Sequence, residues 1–267
     1  MTGIVSRVVV GVVGLPVVLG LVWVGGWWLF ALAALAAVIA VHEFVMMARP
    51  LRPLAPAAYL GVVLALVGAE TGGVVWLVGG FLATFAFAFI LNAVATTRAP
   101  ATAAIGATVL CAAWVGLGLG HLLLLRGMQA QPRLLAFTVL LVVFAADTFA
   151  FFAGRLAGRH KLAPTLSPGK TWEGLVGGSL VALFVAFVAL YPDRDSYLTI
   201  WQALVLGVVI VVAALAGDLF ESMLKRDLAV KDTGRLLGGH GGVLDRLDAL
   251  LFAAPAAYYL VLGFHYG

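Results

Sequence analysis

Residues 134–153 read LLAFTVLLVVFAADTFAFFA, and this stretch decides the fold. The run is continuous rather than alternating, and as a helix it is long enough to cross about 30 Å of hydrocarbon. Twelve of its residues are Leu, Val or Phe. Each favours insertion by about 0.3–0.6 kcal/mol, and together they outweigh the roughly 3 kcal/mol cost of one carboxylate, Asp147. The stretch therefore predicts a membrane-spanning helix that inserts despite carrying an acid. An acid placed there is a functional candidate by default, with snorkelling or a structural hydrogen bond as the alternatives.

Runs of the same kind recur near residues 8–24, 27–46, 54–69, 73–93, 101–125, 174–191, 200–217 and 247–263, the third being short. With 64% hydrophobic residues and a mean hydropathy of +1.13, the chain belongs to lipid rather than to water. Only helices and closed barrels satisfy every backbone polar group in hydrocarbon, and unbroken apolar runs exclude the barrel. The expected fold is all-α: a polytopic integral membrane helix bundle with about nine transmembrane helices. The first run follows Arg7 and has the look of a signal peptide. A second span follows at once with no small-residue cleavage site between them, so it is read as a retained helix.

Basic residues set the orientation. With a cytoplasmic N-terminus, thirteen of the sixteen Lys and Arg fall on the inner side, leaving only Arg126, Arg133 and Arg194 outside. The C-terminus is then external. The net charge of +4 suits anionic headgroups, although the ordinary topology signal accounts for it as well. Cys111 is the only cysteine and lies in an apolar run, so neither an intrachain disulfide nor a cysteine-based metal site is available.

Two lobes are expected, a transmembrane scaffold over residues 1–125 and a chemistry-bearing lobe over 126–267, with a soft boundary at RGMQAQPR, residues 126–133. Ala146, Ala150, Gly154 and Gly158 recur every four residues, a stripe that lets another helix approach closely. Asp147 is accordingly expected to face protein, and small-residue faces of this kind would also suit a homodimer.

Residues 218–248 hold eleven of the chain's 28 charged residues. Asp218, Glu221, Ser222 and Lys225 fall at helical spacing on one face, with Leu219, Phe220, Met223 and Leu224 on the other. A helix leaving the membrane, with Glu221 and Lys225 paired across one turn, would give the same pattern. Asp245 and Asp248, three apart at the start of the last span, add two more carboxylates at the membrane edge. Oxygen ligands of this kind suit a hard cation such as Mg²⁺, held by one or two carboxylates plus phosphates, and disfavour zinc. Between them lies GGHGG, Gly238 to Gly242 around His240, where missing side chains let amides approach an anion. A flexible turn is the plain alternative, weakened by the flanking Lys225, Arg226, Lys231 and Arg246.

A second polar loop, residues 155–174, carries four basic residues before Glu173 and would also suit phosphates. Gly169, Lys170 and Thr171 imitate part of a P-loop. Pro164 stands where that motif needs glycine and no strand is expected before it, so the P-loop reading is rejected. His42 and Glu43, adjacent near the inner end of the second span, could join a site or only pair within the bundle. His121 and His265 fall on the outer side.

Residues 222–248, SMLKRDLAVKDTGRLLGGHGGVLDRLD, resemble the signature of phosphatidate cytidylyltransferases (CDP-diacylglycerol synthases) in the order Ser, Lys-Arg, Lys-Asp, His-Gly-Gly, Asp-Arg, Asp. Residues 147–174, DTFAFFAGRLAGRHKLAPTLSPGKTWEG, are similar to the family's other polar segment. The chain departs from the family at Gly238, where proline is frequent, and at Ala249, where serine is common. The resemblance implies a nucleotidyl transfer in which phosphatidate attacks the α-phosphorus of CTP, releasing pyrophosphate and giving CDP-diacylglycerol for phospholipid synthesis. It implies that Asp218, Asp245 and Asp248 hold Mg²⁺, with room for a second cation. Lys225, Arg226 and Arg246 would bind phosphates, His240 with Gly241 and Gly242 would contact them, and Ser222 and Asp232 would support. Asp147, Ser167, Lys170, Thr171, Glu173 and Lys231 are assigned to substrate binding or site closure. The expected partners are CTP, phosphatidate and the bilayer, with no nucleic acid, and the expected location is a bacterial inner membrane with the site on the cytoplasmic face. A CDP-archaeol synthase or polyprenol kinase would share the polar face. A cation-coupled transporter would need polar residues near the midplane of several spans, where only Glu43 and Asp147 approach.

Overall fold

The computed structural model describes residues 14–95, 100–128, 131–234, 236 and 241–266. Arg7, Arg98, Arg235, Gly238, Gly239 and His240 lie outside the described residues, as does the start of the first apolar run. The described chain is nearly all helix with one two-stranded hairpin, and seven helices among the described residues are long and apolar enough to cross a membrane. Val75, Trp76, Leu156, Phe184 and Trp201 stand exposed on the helix surfaces. So much uncovered apolar area suits contact with lipid tails rather than water.

The chain forms two compact units. One comprises Met1–Gly127 with Asp227–Leu247, the other Met128–Arg226 with Asp248–Gly267. The polar segment of residues 227–247 thus groups with the N-terminal helices.

In the first unit, α1 (Leu15–Val24) and α2 (Gly26–Met47) meet at Gly25, whose φ of 72° is open to glycine. The last carbonyls of α1, at Val22, Trp23 and Val24, accept hydrogen bonds from the Arg126 guanidinium at 2.9, 2.9 and 3.2 Å. A cation there also complements the helix dipole. Exposed Trp23, Trp27 and Trp28 ring this turn as an interfacial anchor. Helix α3 (Ala55–Val94) folds back on itself at Gly73, φ 74°. Its arms touch where Gly61 meets Thr84, Gly68 meets the Trp76 carbonyl and Gly80 meets the backbone of Leu64 and Ala65. The two runs read from sequence as separate spans are thus two helical arms that meet at Gly73. Helix α4 (Ala101–Gly127) contains a π-turn at Ala112–Leu117 and is the most buried span.

In the second unit, α5 (Pro132–Ala157) and α6 (Trp172–Leu190) form a tight pair. The predicted small-residue stripe is the reason. Ala146 and Ala150 meet Gly178, Ala150 and Gly154 meet Gly174, and Ala153 meets Gly177. That stripe is covered within the chain by α6. Between the helices lies the hairpin of β1 (Lys161–Ala163) and β2 (Ser167–Thr171), paired antiparallel. Gly169-Lys170-Thr171 sits inside β2, not in a loop after a strand. Helix α7 (Ile200–Asp227) packs on α6 through Gly207 and on α8 (Leu244–Tyr266) through Gly217, which rests against the Asp248 carbonyl.

Candidate active site

In the first unit the C-terminal half of α2 delivers Glu43, which is only 5% exposed. Its Oε1 accepts from the Val243 N–H at 3.0 Å, and its Oε2 from the Leu244 N–H at 2.8 Å and the Thr233 hydroxyl at 3.5 Å. These amides open α8, where no intrahelical carbonyl can satisfy them and the dipole favours an anion. Next to them at the start of α8, Asp245 Oδ2 accepts from the Gly242 N–H at 2.7 Å and from the Thr233 hydroxyl and N–H at 2.9 and 3.1 Å. Two acids therefore pin both ends of the segment from Thr233 to Gly242.

The glycines follow from that arrangement. A Cβ at Gly242 would sit 2.5 Å from Glu43 Oε2 and Thr233 Oγ1, and one at Gly234 would also strike the Glu43 carboxylate. Gly241 has φ +79°, and a Cβ there would lie 2.7 Å from Asp245 Oδ2. Gly241 and Gly242, read from sequence as part of an anion cradle, are needed locally to admit these carboxylates.

In the second unit the predicted polar face of α7 is present. Lys225 Nζ lies 2.6 Å from Oε2 of Glu221, which is only 1% exposed. Lys170 reaches from β2 to Asp218 Oδ2 at 2.5 Å, and Ser222 Oγ stands 3.5 Å from Asp218 Oδ1. Arg226 Nε donates to the Leu166 carbonyl at 3.3 Å, so two cations tie the hairpin to α7. Asp248, 8% exposed, accepts the Ala249 N–H at 2.8 Å and lies within electrostatic reach of Glu221, Asp218 and Asp147. Three carboxylates thus lie within electrostatic reach of Asp248, two of them paired to Lys170 and Lys225.

The other residues singled out from sequence are placed as follows. Thr171 caps α6 by accepting the Gly174 N–H at 3.1 Å. Glu173 holds His160 through its N–H, at 3.2 Å, and its Nδ1, at 2.6 Å. Ser167 is half-buried on β2, while Lys231, Asp232 and Arg246 are exposed. Asp147 is partly exposed on α5, about 100° round the helix from the Ala146 and Ala150 face that meets α6, and lies within electrostatic reach of Asp248 on α8.

Glu43, Thr233 and Glu221 were not assigned to a site from sequence. Glu43 carried the same signal as Asp147, an acid near the end of a span. Thr233 had none, since its partners are distant in the chain.

Residues 5–264 match the model of the cytidylyltransferase family. The chain belongs to that family. A phosphatidate cytidylyltransferase of Haemophilus influenzae is 45% identical over 124 residues, which cover 45% of this chain and 43% of that protein. One of Staphylococcus haemolyticus is 42% identical over 150 residues, 56% of each chain. One of Mycobacterium bovis is 35% identical over 282 residues, 96% of this chain and 87% of the relative. The match spans about half the length of the first two relatives and most of the third.

Among the described residues no three His, Cys, Asp or Glu side chains converge into a ready-made metal cage. The donor set still fits a hard divalent cation of the Mg²⁺ type, which needs only one or two carboxylates and completes its shell with phosphate and water. Around Asp248 the carboxylates outnumber the lysines, so the local field invites such a cation.

Proposed function

We propose that this protein transfers the cytidylyl group of CTP to phosphatidate, forming CDP-diacylglycerol and pyrophosphate at a membrane surface. The observation that carries the reading is the cluster of Asp218, Glu221, Lys225, Lys170 and Asp248 in the second unit, to which both segments that resemble the family's polar signature contribute, Lys170 from one and Lys225 with Asp248 from the other. The names of the relatives support the same chemistry.

A phosphate monoester is already a nucleophile at neutral pH, so no Ser–His or Cys–His pair is required. The protein's task is to hold two anions together and to answer the charge that grows on the departing pyrophosphate. Asp218 and Asp248 would hold Mg²⁺, with Asp245 presenting a third carboxylate one helical turn before Asp248. When bound, that cation supplies Lewis-acid stabilisation of phosphoryl oxygens. Lys170 and Lys225 are poised on carboxylates from which a phosphate oxygen can draw them. Arg226 and Arg246, both exposed, are available to the outer phosphates. His240 with Gly241 and Gly242 contacts phosphate in this reading, and Ser222 and Asp232 support the ligands. Ser167, Thr171, Glu173, Lys231 and Asp147 line the approach of the nucleotide.

The topology belongs to the same reading: nine crossings, a cytoplasmic N-terminus and the site on the cytoplasmic side of a bacterial inner membrane. A reporter fused to the C-terminus should then read external, and a cytoplasmic signal would overturn the count. The activity is tested by supplying the purified protein in mixed micelles with CTP, phosphatidate and Mg²⁺ and omitting each in turn. CDP-diacylglycerol should form only with all three. No product from folded protein would reject phosphatidate as the acceptor.

A further inference from the structure

In the second unit His160 is fixed at three points, and the chemistry described so far does not use it. Its backbone N–H donates to the Glu173 carboxylate at 3.2 Å, its carbonyl accepts the Trp172 N–H at 3.0 Å, and its Nδ1 stands 2.6 Å from Glu173 Oε1. The side chain is 78% exposed all the same, so the fold holds the ring without burying it. An ionised carboxylate only accepts, which makes Nδ1–H the donor and leaves the Nε2 edge to a ligand. With both nitrogens protonated the ring donates twice, once to Glu173 and once outward.

The neighbouring charges select that ligand. Arg159 and Lys161 flank the histidine and are exposed. Lys161 pairs with Thr171 across the hairpin, and Thr171 follows Lys170, whose ammonium meets Asp218. Thr171 is extended, with φ −130° and ψ 155°, so the backbones of Lys170 and Trp172 lie about 7 Å apart. His160, bonded to the Trp172 amide, thus stands at the same end of the hairpin as Lys170 and one step further from Asp218. Basic groups so placed attract an anion. Glu173 alone would repel a phosphate, so it acts on one through the imidazole it holds. The phosphate that reacts belongs at the acids that Lys170 touches, and phosphates linked to it extend toward His160.

We propose that His160 binds the β- and γ-phosphates of CTP, the pair that leaves as pyrophosphate, and that Glu173 is its positioning residue. Nε2–H donates a charge-assisted hydrogen bond to a phosphate oxygen, while Glu173 fixes the direction of the ring. The inference rests on the reading given under Proposed function and adds to it the side chain of the hairpin that meets the leaving group.

The test uses the full-length protein in detergent with excess Mg²⁺. Calorimetry gives the Kd for inorganic pyrophosphate, CTP and CMP, and assays in mixed micelles give the KM for CTP and for phosphatidate. His160→Asn keeps an amide N–H near the place of Nδ1 and lacks Nε2, whereas His160→Gln carries its amide N–H near the place of Nε2. The Asn variant should bind pyrophosphate and CTP about tenfold more weakly and raise the CTP KM in step. CMP binding, the phosphatidate KM and the thermal unfolding midpoint should stay constant. His160→Gln should recover part of the loss, and Glu173→Gln should weaken pyrophosphate binding without affecting CMP. An equal loss for CMP would place His160 on the base, ribose or α-phosphate and overturn the proposal. A raised phosphatidate KM at constant CTP affinity would make the ligand the lipid phosphate and overturn it as well. Full pyrophosphate affinity in His160→Asn, or a loss matched by a lower unfolding midpoint, would leave the pair as a clamp between the hairpin and α6. Pyrophosphate binding that depends on His160 in a protein that forms no CDP-diacylglycerol would reject the proposed reaction and keep the phosphate site. Turnover with unchanged pyrophosphate affinity in all three variants would reject the phosphate site alone.

Discussion

Two groups of carboxylates are answered in different ways. In the first unit Glu43 and Asp245 take backbone amides and the Thr233 hydroxyl, neutral donors fixed by the chain. In the second, Asp218 and Glu221 take the ammonium groups of Lys170 and Lys225 on long, mobile stems. Amides cannot leave a carboxylate without undoing a loop, whereas a lysine can turn to a phosphate with little rearrangement. The first group therefore holds structure, and in the proposed reading the second exchanges its lysines with substrate phosphates.

The largest effect should come from breaking the second group. Asp218→Asn should cut turnover about a thousandfold or more, roughly 4 kcal/mol of transition-state stabilisation, with the thermal unfolding midpoint in detergent unchanged. A parallel fall in that midpoint would place Asp218 with the structural acids. Glu43→Ala does the opposite: it strips the acceptor from two buried amides and a hydroxyl. It should lower stability by about 2–4 kcal/mol, read by denaturant unfolding, while Glu43→Gln, which keeps one carbonyl acceptor, recovers part of that. Asp245→Asn sharpens the contrast, because Asp245 serves both groups in the present reading. It should lose turnover and also about 1–2 kcal/mol of stability, where Asp218→Asn loses turnover alone. The smallest effect belongs to the α6 cap. Thr171→Ala should cost about 1 kcal/mol and raise the CTP KM modestly, as its place on the approach of the nucleotide requires; an unmoved CTP KM would leave Thr171 as a helix cap alone.

Much of this was legible in the sequence because it is local. Apolar length gave the spans, the spacing of Asp218, Glu221, Ser222 and Lys225 gave the polar face of α7, and the Ala146, Ala150, Gly154 stripe announced a close helix partner. The β1–β2 hairpin escaped because its strands are short and charged, with no alternating apolar pattern. The break between the runs at 54–69 and 73–93 was legible as well, and it falls at Gly73. Glu43 could not be placed because its partners stand 190 to 201 residues further along the chain. Periodicity has no access to such a pairing.

That long separation has a consequence for biosynthesis. Glu43 is translated and inserted with the second helix, while Thr233, Val243 and Leu244 are still unmade on the ribosome. Until the last helix arrives, the membrane holds an acid with none of its native donors, and the late segment has no anchor. Completion of the chain is thus the event that locks its beginning, so a nascent chain arrested before residue 233 should remain a substrate for membrane proteases while the finished one does not.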